Sequence, residues 1–95
     1  GWETAKMVLE QQGLLGQVKA ATYDLPPIVM ESISDGSLIA GIDQSPYSQG
    51  YLAAILARQY IDWGLMPYEQ ILTGPAIVDS SNIEKVKAGA AVKRR

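Results

Sequence analysis

Neither cysteine nor histidine occurs in this chain. That excludes thiol nucleophiles, disulfides, imidazole general bases and every metal site built on Cys or His. Basic charge is also sparse, with eight Lys and Arg against ten Asp and Glu. Lys85, Lys87, Lys93, Arg94 and Arg95 crowd into residues 84–95, where only Glu84 opposes them, so the rest of the chain is acidic. A nucleic-acid groove needs clustered Lys and Arg interleaved with aromatics; the acidic body has neither, and no nucleic-acid partner is expected. The basic tail reads as a solvated helix end, since a short basic run is a weak motif by itself. No apolar run approaches the ~20 residues of a membrane span, and the first residues lack the basic-then-apolar pattern of a secretory leader. Phosphate-cradling glycine loops and the G-x-S-x-G serine elbow are absent as well.

What remains is ordinary globular material. The chain has 95 residues, 47% of them hydrophobic and 19% charged, enough for one small domain or part of a larger one. A chain of this size buries only about 60–65% of its unfolded surface, so the expected core is modest.

Turn chemistry divides the chain into alternating elements. Residues 2–12 are good helix formers closed by Gly13. Gln17 to Tyr23 is a short apolar run ended by Asp24, and Pro26 and Pro27 then start a helix that runs to Asp35, with Gly36 as its cap. Leu38 to Ile42 reads as a second buried strand, ended by Asp43. Ser45 is placed to N-cap a helix with Pro46 in its first turn, running to Trp63, closed by Gly64 and barred from resuming by Pro67. That helix is apolar over most of its circumference, so most of it should be covered. Ile71 to Val78 is a third strand-like run, and Ser81 with Glu84 forms a capping box for a last helix over 82–91. The order α-β-α-β-α-β-α, with continuous apolar strands, predicts a parallel sheet buried on both faces by helices.

Asp24 and Asp43 each close a predicted strand, and open α/β sheets bind ligands in the crevice outside those ends. Gln44 and Ser45 follow on a rigid strand-to-helix turn, where short polar side chains can meet a ligand's hydroxyl groups. Ordinary helix capping accounts for Asp24, Asp43 and Ser45 without a ligand. Paired carboxylates also serve glycosidases, but nothing in this spacing makes the two acids face one sugar. Aromatic side chains could stack on a sugar face, although Tyr47 with Tyr51 and Tyr60 with Trp63 fall at the helical spacing of packing pairs.

The stretch ATYDLPPIVMESISDGSLIAGIDQSPYSQGY, followed by LTGPAIVDSSNI, resembles the C-terminal part of type I periplasmic sugar-binding proteins, the ribose-binding-protein-like components of bacterial ABC transporters. The resemblance extends from about Trp2 to Ile83. It implies a three-layer α/β fold with a parallel sheet, of which this chain would be the C-terminal segment. It implies that Asp24 and Gln44 contact sugar hydroxyls, that Asp43 lies at the crossover between two lobes, and that Thr22 and Tyr23 replace the family's usual Gly and Phe. Residues 1–43 would then belong to the C-terminal lobe, 44–72 to the N-terminal lobe, and 73–95 to the return crossover and tail.

The function implied is capture of a small sugar or polyol in the cleft between lobes and delivery to an ABC transporter permease outside the cytoplasm, with no catalysis and no cofactor. The alternative is the effector-binding domain of a lactose-repressor-type regulator or a periplasmic sensor, which shares the fold. The family's N-terminal lobe has no counterpart here. The chain is therefore expected to be a piece of a longer protein, and to self-associate or pair with the missing part.

Overall fold

The protein, described here as a computed structural model, is defined over residues 1–94. In chain order it contains α1 (Trp2–Gln11), β1 (Ala21–Tyr23), α2 (Pro27–Asp35), β2 (Ala40–Asp43), α3 (Pro46–Trp63), β3 (Ala76–Val78) and α4 (Ile83–Ala91). All seven expected elements form, and α1, α2 and α3 end where a glycine stands. At the end of α1, Gly13 takes φ 68°. Its N–H donates to the Glu10 carbonyl, and the Leu14 N–H donates to the Leu9 carbonyl, the paired bonds of a Schellman turn. Gly36 and Gly64 close α2 and α3 in the same left-handed region.

The strands are shorter than the apolar runs that contain them. Residues 14–18 are folded back by bonds from Gln17 and Val18 N–H to the Leu14 carbonyl, so β1 keeps only its last three residues. The expected capping geometry also changes. Ser45 stands at the N-cap position of α3 but at φ 53°, and its hydroxyl makes no capping bond. The capping box at Ser81 does not form, because Asp79 competes for its donors. Ser81 N–H and hydroxyl both donate to Asp79 Oδ1, at 2.9 and 2.5 Å, and Asn82 takes the N-cap position. The Ser81 bonds hold the Asp79 carboxyl below the ordinary carboxylate range. Ser37 does the same for Asp35, next to the α2 cap.

The sheet has the order β1-β2-β3. The β1 and β2 strands pair in parallel, Thr22 beside Gly41, joined by α2 as a βα-β unit. The third strand departs from the all-parallel expectation: it runs antiparallel to β2, with Asp43 opposite Ala76. The reason lies in the connection. A parallel return requires a crossover packed over the sheet, and α3 buries no residue. The chain leaves the sheet at Asp43, travels out along α3, and returns beside the point it left. Two-sided burial also fails among the described residues, since Tyr23 and Ile77 on the uncovered face are 74% and 66% exposed.

The core lies under the other face. Trp2, Leu25, Val29, Ile33, Leu38, Val78 and Ile83 form one buried cluster, each large side chain contributing about 1.5–3 kcal/mol. Trp2 Nε1 donates to Ser32 Oγ at 2.8 Å, and Ser32 is fully buried, so the indole is a core anchor and not a surface stacking platform. Gly41 makes this packing possible: a Cβ there would sit 2.5 Å from Leu25 Cδ2 and 3.3 Å from Ile33 Cδ1.

Candidate functional site

The parallel pairing of β1 and β2 puts the two strand ends side by side, and each strand leaves the sheet through a strained residue. Asp24 takes φ 63° after β1, and Ser45 takes φ 53° after β2. Left-handed backbone disfavours most side chains, although Asp tolerates it better than larger residues. The Asp24 N–H donates to the Ile42 carbonyl at 2.9 Å, which extends the ladder by one bond and fixes the carboxylate beyond the sheet edge.

Asp24 and Gln44, twenty positions apart, meet there. Gln44 Nε2 donates to Asp24 Oδ1 at 3.0 Å, and both side chains are exposed. Asp24 Oδ2 and Gln44 Oε1 have no bond to another described residue, and the Gln44 amide keeps a second N–H. The pair thus presents two acceptors and one donor on a braced scaffold. The bracing comes from two residues given no role in the sequence reading. Gln49 Nε2 and Thr73 Oγ1 both donate to the Gln44 carbonyl at 2.9 Å. Gly74 permits the approach of the returning chain: a Cβ there would lie 2.8 Å from the Asp43 carbonyl oxygen and 3.0 Å from Gln44 Cα. The T-G-P triplet stands inside a run read from sequence as strand-like, and the close approach that it permits is visible only in the fold.

Asp43 does not join the pair. Strand alternation turns it to the opposite side, where it is 7% exposed and lines a mixed cavity of about 270 Å³ with Ser45, Ser48, Asn82, Lys85, Val86 and Arg94. Of the basic tail, Arg94 packs its guanidinium over the Tyr47 ring at 5.4 Å, while Arg95 lies outside the described residues. Tyr47 and Tyr51 stack with ring centroids 5.9 Å apart, the packing pair expected from their spacing. No group of three or more potential metal-ligating side chains occurs among the described residues. None of the helices described is long and apolar enough to cross a membrane.

The fold that carries this pair has counterparts of known structure. The chain superposes on an ABC transporter periplasmic solute-binding protein from Actinobacillus succinogenes with bound D-allose, with TM-score 0.74 and 28% identity. That match covers 85% of this chain and 28% of the other. A periplasmic ribose ABC transporter protein from Conexibacter woesei gives TM-score 0.76 at 22% identity, over 93% of this chain and 30% of the other, a likeness of fold. In sequence, the xylose/arabinose-binding protein XylF of Sulfolobus acidocaldarius is 37% identical over 70 residues.

This chain is a homologue of the ABC-transporter sugar-binding proteins.

Its fold is a segment of the type I periplasmic-binding-protein fold. The chain spans 17% of the length of the curated relative and under a third of each solved structure. No family model matches it.

Proposed function

We propose that this segment supplies one wall of a sugar-binding cleft, with Asp24 and Gln44 as the ligand contacts and Asp43, turned to the opposite side, left out of the contact set. The observation that carries the reading is the 3.0 Å hydrogen bond joining the two side chains across adjacent strand ends. A sugar hydroxyl is both donor and acceptor. The Asp24 carboxylate accepts from such hydroxyls through charge-assisted bonds, and the Gln44 amide supplies the complementary role. No bond is made or broken, so the work is capture and not catalysis. The relatives bind xylose or arabinose and D-allose by their descriptions, which supports a pentose or hexose as the ligand here and an extracytoplasmic setting with delivery to a permease.

Residues 44–72 leave the body before Asp43's neighbours return to it at Thr73, and the core cluster takes no member from them. This supports their assignment to a second lobe, with the cleft between the lobes closing about the two crossovers. The ligand would be held only where both lobes are present. Titration calorimetry of pentoses, hexoses and polyols into a protein that carries this segment together with both lobes tests the reading. Asp24→Ala or Gln44→Ala should weaken sugar binding about 10- to 100-fold, the equivalent of one charge-assisted hydrogen bond. Unchanged affinity in both variants would remove the pair from the site.

A further inference from the structure

Asp24 and Gln44 are fastened to the fold in different ways. Asp24 is held by the sheet: its N–H donates to the Ile42 carbonyl at 2.9 Å, one bond past the registered pairs of β1 and β2. Gln44 stands just beyond the last registered pair of β2 and β3, Asp43 with Ala76. There the chain leaves the body for an arm of residues 44–72, and the Gln44 main chain lies outside the sheet. The rotamers open to a side chain depend on the φ and ψ of its own residue. Whatever fixes the Gln44 main chain therefore aims its amide.

Two side chains do this. Gln49 Nε2 and Thr73 Oγ1 each donate to the Gln44 carbonyl at 2.9 Å, and together they fill both lone pairs of that oxygen. One donor stands in the first turn of α3 and the other on the chain returning to β3, so the Gln44–Ser45 peptide is held from two elements at once.

That peptide needs holding. It leads into Ser45 at φ 53°, a left-handed conformation that a residue other than glycine keeps only where its surroundings over-determine it. The Ser45 hydroxyl makes no capping bond, so the residue does not secure itself through a cap. Turning the peptide plane to relieve Ser45 would change ψ of Gln44, and with it the direction of the amide.

We propose that Thr73 and Gln49 are positioning residues of the sugar site. Through the Gln44 carbonyl they keep its amide on Asp24, at 3.0 Å, and they set affinity without contacting the sugar themselves. The inference rests on the reading of Asp24 and Gln44 as ligand contacts. Both bonds go to main chain that survives Gln44→Ala, and this allows positioning to be told from direct contact.

The test is titration calorimetry of xylose, arabinose and D-allose into a two-lobed protein that carries this segment, continued with the tightest binder of the three. Thr73→Val keeps the branched shape and removes the donor. It should weaken binding about 3- to 10-fold, the equivalent of one neutral hydrogen bond, and Thr73→Ser should restore it. Gln49→Met should act in the same direction. In a Gln44→Ala background, where the carbonyl remains and the amide is gone, Thr73→Val should leave the residual affinity unchanged, while it lowers the thermal midpoint equally in both backgrounds. An equal loss of affinity in both backgrounds overturns the proposal, because Thr73 then acts on the sugar or on the fold directly. Unsubstituted affinity in both Thr73→Val and Gln49→Met overturns it too. These outcomes differ from failure of the sugar reading, in which Gln44→Ala itself leaves affinity unchanged and the positioning role falls with it. If Thr73→Val does not fold, Gln49→Met, at an exposed helix position, carries the same cycle.

Discussion

The body of the molecule and its arm are made of similarly apolar sequence and end in opposite conditions. Residues 1–43 and 73–94 supply every member of the buried cluster, including a fully buried serine whose hydroxyl is matched to an indole N–H. Residues 44–72 contain Leu52, Ile55, Leu56, Ile61 and Trp63, yet α3 has no buried residue, and Ile61 and Trp63 are each 76% exposed. Apolarity by itself therefore does not bury a helix. What buries α2 is its covalent place between two parallel strands, which forces it across the sheet. The connection through α3 joins antiparallel neighbours, and no such constraint brings it back over the sheet.

Truncation should separate the two regions most sharply. Leu38→Ala or Ile33→Ala in the body should cost about 2–5 kcal/mol, read as a drop in the urea midpoint. Ile61→Ala, at an exposed position on α3, should stay within about 0.5 kcal/mol. Comparable losses at both places would show that the arm is packed in solution and would abolish the contrast.

The junction between the regions gives a smaller test. Gly41→Ala should cost about 1–3 kcal/mol through overpacking against Leu25 and Ile33. Gly74→Ala meets backbone, not a side-chain tip. It should displace the returning segment from Gln44, so it should lower sugar affinity in a two-lobed protein more than it lowers stability. Thermal denaturation and titration calorimetry of the same variant separate the two effects.

The smallest effect is in acid. Asp35 and Asp79 are held below their ordinary carboxyl range by Ser37 and Ser81. A depressed folded-state value stabilises the body above the unfolded value and is lost as pH falls through the folded one. Unfolding free energy should therefore decline below about pH 4. Asp35→Asn with Asp79→Asn should flatten that decline slightly, both groups being open to solvent screening. A slope identical to that of the unsubstituted chain would assign the acid sensitivity to other carboxylates.

The sequence was most legible where a single residue carries the signal. Gly13, Gly36 and Gly64 mark three helix ends because only glycine adopts the left-handed turn without cost, and Pro27 and Pro46 mark two starts. Asp24 and Gln44 were visible as strand-end polar residues, and their resemblance to a known family named them as ligand contacts. Where several acceptors compete, the reading failed. Ser81 had a plausible partner in Glu84, but Asp79, two residues away, takes its N–H and hydroxyl. The Ser45 cap failed because its backbone is left-handed, which depends on how β2 meets α3.

Local sequence thus determined which residues form helices and strands, where they stop, and the chemical types available at the strand ends. Tertiary structure decided the rest: that β3 runs antiparallel, that Asp24 and Gln44 touch while Asp43 faces away, and that α3 stands apart from the core. These are long-range outcomes. They depend on which strand pairs with which and in what direction, and hydrophobic burial is too non-directional to encode that in any single segment.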